Sequence, residues 1–157
     1  TFSVQDNIFL PLVLAGKAYP EMAARLAPIA RQLGIAELLQ KFPYELSGGQ
    51  KQRVAVARAL ITQPKLVLAD EPTGALDSRA TDELLRLFEE INRDGQTILM
   101  VTHDCNAASY CKRILFIQDG VLFHELRRDV PDETQQEFYG RILAVMAQLG
   151  GGSANVL

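Results

Sequence analysis

Residues 65–72 read KLVLADEP, a short apolar run that ends in two adjacent carboxylates. An apolar run of this length is typical of a strand buried in a parallel sheet. Residues 96–104, QTILMVTHD, repeat the pattern of an apolar run followed by polar side chains. Between the two runs, where Asp77 or Ser78 can cap a helix, apolar residues recur at helical spacing: Leu84, Leu85, Leu87, Phe88 and Ile91. The sequence therefore predicts a strand, a helix and a second strand, with the two strands parallel.

The residues before this unit are predicted to be helical. Apolar side chains occur throughout residues 1 to about 45. Four residues interrupt this stretch: Pro20, Pro28, Gly34 and Pro43. Because proline and glycine disfavour the interior of a helix, we expect the helices to end near these positions. A Ser-Gly-Gly turn at residues 47–49 follows, and the next helix is expected from about Gln50 to Ile61.

The residues after the second strand predict a helix, a hairpin and a final helix. Asp104 can cap a short helix that runs to about Tyr110. Residues 113–126, RILFIQDGVLFHEL, read as two strands around Asp119-Gly120, the strongest short hairpin signal in the chain. A helix is expected over residues 132–149. It places four apolar residues on one stripe: Phe138, Ile142, Val145 and Leu149.

The order strand, helix, strand, helix, strand, in which residue 113 begins the third strand, predicts an α/β fold with a parallel sheet that is covered by helices and preceded by a helical subdomain. The predicted division is residues 1–45 for the helical subdomain, 46–150 for the part that contains the sheet and 151–157 for a flexible tail. Ligands of such sheets bind outside the carboxyl ends of the strands. Two polar clusters stand at such ends, Asp70-Glu71 and Thr102-His103-Asp104, and the site is expected there.

Composition and charge exclude several classes of protein. A hydrophobic content of 48% over 157 residues suits one globular domain with its own core. The net charge of −3 gives no electrostatic footprint for nucleic acid over the whole surface. Ile8–Gly16 is the most apolar N-terminal stretch, and it is too short to span a membrane and lacks the charged leader of a signal peptide.

The two cysteines are expected to be reduced thiols. Cys105 and Cys111 are too few for a disulfide framework, and their spacing matches no zinc pattern. A metal site that combined them with His103 and His124 has no support from spacing. His124 lies inside the predicted hairpin and is expected to be structural.

Asp70 and Glu71 together suggest phosphate chemistry. Magnesium takes oxygen ligands and keeps several waters, so one carboxylate at a strand end can hold it. The neighbouring carboxylate can polarise an attacking water. Two solvated acids at a strand end are the alternative, and this run alone leaves the two interpretations evenly matched.

Two further features suggest a phosphate ligand. At the start of a helix, Ser47, Gly48 and Gly49 offer a hydroxyl and close backbone N–H groups, which favour an anion. A serine N-cap followed by a glycine turn explains the same residues, and for this tripeptide alone that explanation is the stronger one. His103, after the strand, can contact a phosphate or hold a water, although a lone histidine is more often structural.

The order and spacing of these motifs are far more specific than any one of them. LSGGQ begins at Leu46, LVLADEP twenty residues later, GALD directly after it, and TH stands at the end of the next strand. This arrangement resembles the ATPase subunit of ABC transporters over nearly the whole chain. The resemblance implies a P-loop NTPase-like parallel sheet, incomplete here, with an inserted helical subdomain at residues 1–45 and the signature motif opening residues 46–150.

The resemblance also assigns roles to residues. The signature motif would contact the γ-phosphate of an ATP held by a second copy: Ser47, Gly48, Gly49 and Gln50. Asp70 would hold Mg²⁺, and Glu71 would act as general base. Asp77 would communicate across the dimer, and His103 would sense the γ-phosphate. The implied partners are a second ATPase subunit in a homodimer and an integral-membrane permease at the cytoplasmic face of the cell membrane, with no nucleic acid.

Two stretches point to a subgroup of this family. EPTGALD, residues 71–77, looks like the exporters that include lipoprotein-release and macrolide-type systems. QQEFYGRILAVMAQLGG, residues 135–151, looks like the ATPases of bacitracin-type antimicrobial-peptide transporters, which pair with a large permease. The implied function is ATP hydrolysis that powers antimicrobial-peptide export or resistance.

The sequence departs from the family pattern in one respect. It has no G-x-x-x-x-G-K-[ST] loop, since Gly16-Lys17 is followed by alanine and has no glycine five residues earlier. Gln5 comes too late to be the glutamine of the family's Q-loop. Without that loop the phosphates lose their main cradle. We expect the chain to be a C-terminal fragment that, alone, neither binds ATP tightly nor hydrolyses it.

Two other functions compete with the transporter subunit. One is a soluble ABC ATPase of chromosome organisation, DNA repair or translation, which the lack of heptad runs and of a second cassette disfavours. The other is a truncated, non-catalytic interaction module. The missing phosphate loop favours this module, and the presence of Glu71 and His103 does not decide the matter.

Overall fold

The computed structural model describes residues 2–128, 133–148 and 155–156, and for residues 123, 155 and 156 it describes the backbone only. The chain divides into two compact units. Unit 1 comprises residues 1–67 and 75–87, and unit 2 comprises residues 68–74 and 88–157. The predicted division at residues 45 and 150 stays a prediction.

Unit 1 begins with two helices, α1 (Val4–Leu14) and α2 (Tyr19–Gln32). Short 3₁₀ turns follow at Ala36–Leu38 and Pro43–Glu45, and then α3 (Gly48–Leu60). The helical character expected for residues 1 to 45 is therefore present.

The expected interruption at Pro28 is wrong. Pro28 lies inside α2, which continues to Gln32 and ends where Gly34 adopts a φ of 62°. One face of α2 is buried through Met22, Leu26 and Ala30. We attribute the continuity of α2 to this tertiary burial, which offsets the hydrogen bond that a proline removes.

The core of unit 1 forms where α1 packs on α3. Apolar side chains from these helices and the turns between them are almost fully buried: Val4, Ile8, Leu33, Ile35, Ala57 and Ile61. This core holds α3 near its C-terminal end, where Ala57 and Ile61 lie.

The strand–helix–strand prediction is confirmed. Strand β1 (Leu66–Asp70) and strand β2 (Thr97–Val101) are hydrogen-bonded neighbours, and α4 (Ser78–Arg93) connects them as the crossover of a parallel pair. Asp77 is the cap of α4, since its Oδ1 accepts a hydrogen bond from the Ala80 amide at 2.8 Å. The apolar stripe of α4 is buried as predicted: Leu84, Leu85, Leu87, Phe88 and Ile91.

The expectation that both strands are buried holds for one face of the pair only. Val67 and Met100 are buried, but the alternate residues Leu68 and Leu99 are 70% and 42% exposed. Since side chains alternate along a strand, the exposed residues share one face of the β1–β2 pair. Within the described residues, no layer covers that face.

Strand β3 (Arg113–Gln118) and strand β4 (Val121–Arg127) form the predicted hairpin. Asp119 and Gly120 have φ angles of 51° and 76°, as a type I′ turn requires. The expected third strand of the parallel sheet is thus wrong, because β3 pairs antiparallel with β4 and with β5 (Asn155–Val156). The rest of the predicted tail, residues 151–154 and 157, lies outside the described residues.

The core of unit 2 lies between this hairpin and two helices, α5 (Cys105–Ser109) and α6 (Gln135–Gln148). Its members are buried apolar side chains: Ala108, Ile114, Phe116, Leu126, Phe138 and Ile142. The predicted stripe of the last helix is confirmed for Phe138 and Ile142, with Val145 packed against them; Leu149 lies outside the described residues. No helix in the described residues has both the length and the apolar character needed to span a membrane.

Both cysteines are free and pack against the core of unit 2. Burial, aided by the charge of Glu89, raises the pKa of the Cys111 thiol to about 11 from an ordinary 9.0. Burial also raises the pKa of Cys105, and the neighbouring Asp104 carboxylate adds to the effect.

These pKa values predict unequal thiol reactivity. The thiolate is the reactive species, and at pH 8 the Cys111 thiol is almost fully protonated. We expect Cys105 to react with Ellman's reagent at least about ten-fold faster than Cys111. The variants Cys105→Ser and Cys111→Ser separate the two rates, and a Cys111 rate equal to that of Cys105 would contradict the packing described above.

Candidate functional site

The first turn of α3 is closed by a capping box between Ser47 and Gln50. The Ser47 Oγ accepts a hydrogen bond from the Gln50 amide at 3.3 Å, and the Gln50 Oε1 accepts one from the Ser47 amide at 3.0 Å. The amides of Gly48 and Gly49, the first two helical residues, have no acceptor within the helix. The serine cap and the anion cradle are therefore compatible, because the cap leaves these two amides for a ligand.

The same turn packs closely against residues 75–80. A Cβ atom at Gly48 would lie 3.4 Å from Leu76 Cδ2, and one at Gly49 would lie 3.3 Å from the Cβ of Ala80. The first distance is an ordinary van der Waals contact, and the second is a few tenths of an ångström tighter than usual. The turn at residues 47–49 and the segment that carries Asp77 thus lie against each other within unit 1.

An ion pair that the sequence analysis missed links α3 to α4 in unit 1. The Arg53 guanidinium donates to Glu83 Oε2 at 2.7 Å and to the Leu33 carbonyl oxygen at 3.5 Å. Glu83 also accepts from Arg79 at 3.1 Å. Arg53 and Glu83 are thirty residues apart in the sequence, and no local pattern signals their pairing.

A second group of predicted residues stands at the carboxyl ends of β1 and β2, in unit 2. Asp70 is the last residue of β1 and is exposed. The Glu71 amide donates to the Val101 carbonyl at 2.9 Å, which brings the next residues of both strands side by side. Glu71 has a φ of 42°, a left-handed conformation that is uncommon for a residue with a side chain and that concentrates at functional sites.

The Glu71 carboxylate receives three hydrogen bonds from the end of β2. Its Oε1 accepts from the His103 amide at 3.0 Å and lies 2.7 Å from His103 Nδ1. Its Oε2 accepts from the Thr102 hydroxyl at 3.2 Å. Because a carboxylate only accepts, the contact with Nδ1 requires the ring proton on that nitrogen, which leaves Nε2 for another partner. The Glu71 side chain stays 35% exposed and accessible to water.

Asp70 is the one residue that the sequence analysis assigned to magnesium. In the described ranges, no three His, Cys, Asp or Glu side chains are arranged to hold a metal ion. A lone exposed carboxylate still suits Mg²⁺, which is commonly bound by one or two carboxylates together with phosphate oxygens and water. The chemistry of this position fits the ion only when a phosphate ligand supplies further oxygens.

The predicted site residues therefore form two groups. Ser47, Gly48, Gly49, Gln50 and Asp77 belong to unit 1, whereas Asp70, Glu71 and His103 belong to unit 2. Each group is locally organised by hydrogen bonds or close packing. The sequence analysis placed Thr102 in the second polar cluster but gave it no role. Its contact with Glu71 is seen only in the structure.

Comparison with known proteins identifies relatives for both groups. A family model described as "ABC transporter" matches residues 1–74. The ABC transporter ATP-binding protein YxdL of Bacillus subtilis is 50% identical over 98% of this chain and 59% of its own length. The bacitracin export ATP-binding protein BceA of Halalkalibacterium halodurans is 45% identical over 96% of this chain and 59% of its own length.

Among solved structures, too, this chain is similar to ATP-binding cassettes. The dimeric ATP-binding cassette MJ0796, in a post-hydrolysis state bound to ADP and Pi, matches with a TM-score of 0.67 and 35% identity. The match covers 80% of this chain and 56% of that chain. This chain thus spans a little under three fifths of the length of these proteins.

The capping box yields a prediction about stability. We expect Ser47→Ala to lower the free energy of unfolding by about 0.5–2 kcal/mol, because the Gln50 amide loses its acceptor. Ser47→Asp keeps an acceptor and is expected to stay within about 0.5 kcal/mol of the original chain. Urea unfolding followed by circular dichroism measures both.

Ser78→Ala is the matched control, since Ser78 is exposed and the cap of α4 is Asp77. Its expected change is within about 0.5 kcal/mol. Equal losses for Ser47→Ala and Ser47→Asp would show that Ser47 does not cap α3.

Proposed function

Because this chain belongs to the ABC transporter ATP-binding family, we propose that it supplies ATP-hydrolysing residues to a transporter subunit. The observation that carries the proposal is the Glu71 carboxylate, held by Thr102 and His103 directly after Asp70. A carboxylate fixed in this way, and still open to water, is suited to general-base work. The ADP and phosphate bound to the related cassette support ATP as the nucleotide.

The proposed hydrolysis gives a role to each of the three candidate residues of unit 2. Glu71 orients the attacking water and accepts its proton as the γ-phosphate bond breaks. His103 keeps the Glu71 carboxylate in place through its amide and Nδ1, and offers Nε2 to the γ-phosphate. Asp70 holds Mg²⁺, and the ion, when bound, neutralises charge on the phosphates.

The residues of unit 1 are proposed to act on a second copy. Ser47, Gly48, Gly49 and Gln50 would contact the γ-phosphate of an ATP held by the partner, with the dipole of α3 behind them. Asp77, on the segment that packs against this turn, would transmit the state of one site to the other. The dimeric form of the related cassette supports a homodimer as the working state.

The proposed transporter is an exporter of the bacitracin type, with antimicrobial peptides as its substrates. The bacitracin export relative, 45% identical, supports this assignment. The second partner would be an integral-membrane permease that holds the subunit at the cytoplasmic face of the cell membrane. Helix α1 carries an exposed apolar surface suited to such a partner, with Leu10, Val13 and Leu14 at 38%, 53% and 80% exposure.

One observation favours a second candidate, a non-catalytic interaction module. The chain has no G-x-x-x-x-G-K-[ST] loop, which in this class of enzyme cradles the phosphates. We expect the 157-residue chain alone to show no ATP turnover above background. A phosphate assay at saturating ATP and Mg²⁺ tests this, and turnover by this chain would overturn our account of the missing loop.

The catalytic proposal is tested in an extended subunit. By this term we mean the chain preceded by a segment with such a loop, taken from the coding sequence upstream of Thr1 or, where that has none, from a transporter relative. The extended subunit is expected to hydrolyse ATP and to dimerise with ATP bound. A start codon close to Thr1, together with an inactive extended subunit, would establish the interaction module instead.

Glu71→Gln in the extended subunit tests the general base. The amide keeps the size of the side chain but cannot accept the proton of water, so we expect kcat to fall by about 100-fold or more. Binding of ATP is expected to be unchanged, because Glu71 has no task in holding the nucleotide.

Glu90→Gln, on the exposed side of α4, is the matched control and should hydrolyse ATP as the unsubstituted subunit does. Nucleotide binding by fluorescence and turnover by phosphate release give the two readouts. Full activity of Glu71→Gln would remove Glu71 from the assigned role.

A further inference from the structure

Thr102 stands at the end of β2 with its side chain almost completely buried. It is 2% exposed, although most threonines lie at protein surfaces. Its Oγ1 accepts a hydrogen bond from the Asp104 amide at 3.1 Å and donates one to Glu71 Oε2 at 3.2 Å. The single hydroxyl proton is therefore committed to the Glu71 carboxylate.

A purely local role explains only half of this arrangement. Acceptance from the Asp104 amide, two residues further on, is the ordinary turn made by a threonine hydroxyl, and it needs no donor. The bond to Glu71 spans 31 residues and joins the ends of β1 and β2. The turn would form as well if the hydroxyl proton pointed to a backbone carbonyl.

The two oxygens of Glu71 are not equivalent. Each carboxylate oxygen can accept about two hydrogen bonds. The amide and the Nδ1 of His103 both engage Oε1, whereas Thr102 alone engages Oε2. Oε1 is thus saturated, and Oε2 keeps one position for a water molecule.

We propose that Thr102 is a positioning residue that fixes the rotation of the Glu71 carboxylate, so that Oε2 is the atom that accepts the proton of the attacking water. The proposal rests on the proposed function of Glu71. Without the Thr102 hydroxyl, the carboxylate is held at one oxygen only and can turn about its terminal bond. A general base that is displaced in this way loses rate but not nucleotide affinity.

Three variants of the extended subunit test the proposal. Thr102→Val keeps the shape of the side chain and removes the hydroxyl, whereas Thr102→Ser keeps the hydroxyl. Thr97→Val makes the same chemical change at the exposed start of β2 and is the matched control. The measurements are kcat and KM for ATP, with nucleotide binding by fluorescence as the readout that does not depend on turnover.

We expect kcat of Thr102→Val to fall by about 10- to 100-fold, with KM and ATP binding within about two-fold of the unsubstituted subunit. Thr102→Ser and Thr97→Val are expected to keep kcat within about three-fold. A Thr102→Val subunit with unchanged kcat would overturn the proposal. So would equal losses for Thr102→Val and Thr102→Ser, or a loss that appears in KM.

Thr102→Val leaves the half-buried Asp104 amide without its acceptor, so the folding of this variant is checked by urea unfolding. Where that variant does not fold, Thr102→Ala, which leaves room for a water at the amide, takes its place under the same criteria. An unsubstituted extended subunit without turnover would refute the proposed function itself. That result is separate from any result on Thr102, which is read only against an active subunit.

Discussion

One backbone hydrogen bond, from the Glu71 amide to the Val101 carbonyl, organises the second half of the candidate site. It extends the pairing of β1 and β2 by one step beyond the last residue of β1. The residues that follow the two strands, Glu71 on one side and Thr102-His103 on the other, then face each other at hydrogen-bond distance. The left-handed backbone of Glu71 is the local cost of this arrangement, and three hydrogen bonds to its carboxylate offset it.

The first turn of α3 combines two properties. It caps the start of the helix, and it leaves backbone amides available for a ligand. Ser47 and Gln50 satisfy each other and so stabilise the helix start without a ligand. The glycines that follow keep their amides available and allow residues 75–80 to approach. If an anion binds there as proposed, little has to be reordered, because the turn is already formed.

The features that sequence could predict are those set by short-range chemistry. Period and turn residues predicted α4 with a cap at Asp77 or Ser78, the Asp104 cap and the Asp119-Gly120 hairpin, because each depends on neighbours within a few positions. The order of the motifs predicted the family. Pro28 inside α2 was missed, since burial of the helix face outweighed the local preference.

Contacts between residues far apart in the chain could not be predicted from the sequence. The partner of β3 depends on competition between two sheets, and the local hairpin formed in place of a third parallel neighbour. The contacts of Arg53 with Glu83 and of Thr102 with Glu71 join residues about thirty positions apart, and nothing in either segment marks its partner. The sequence therefore identified candidate site residues such as Glu71 more completely than the residues that hold them in place, such as Thr102.

The exposed leucines of β1 and β2 bear on how the isolated chain can associate. Leu68 and Leu99 present an apolar strand face to water, and such a face gains free energy when it meets another apolar surface. Two copies of the chain can bury these faces against each other, at the expense of a monodisperse solution. Sulfate and other kosmotropic salts would strengthen such an association, and dilution would reverse it.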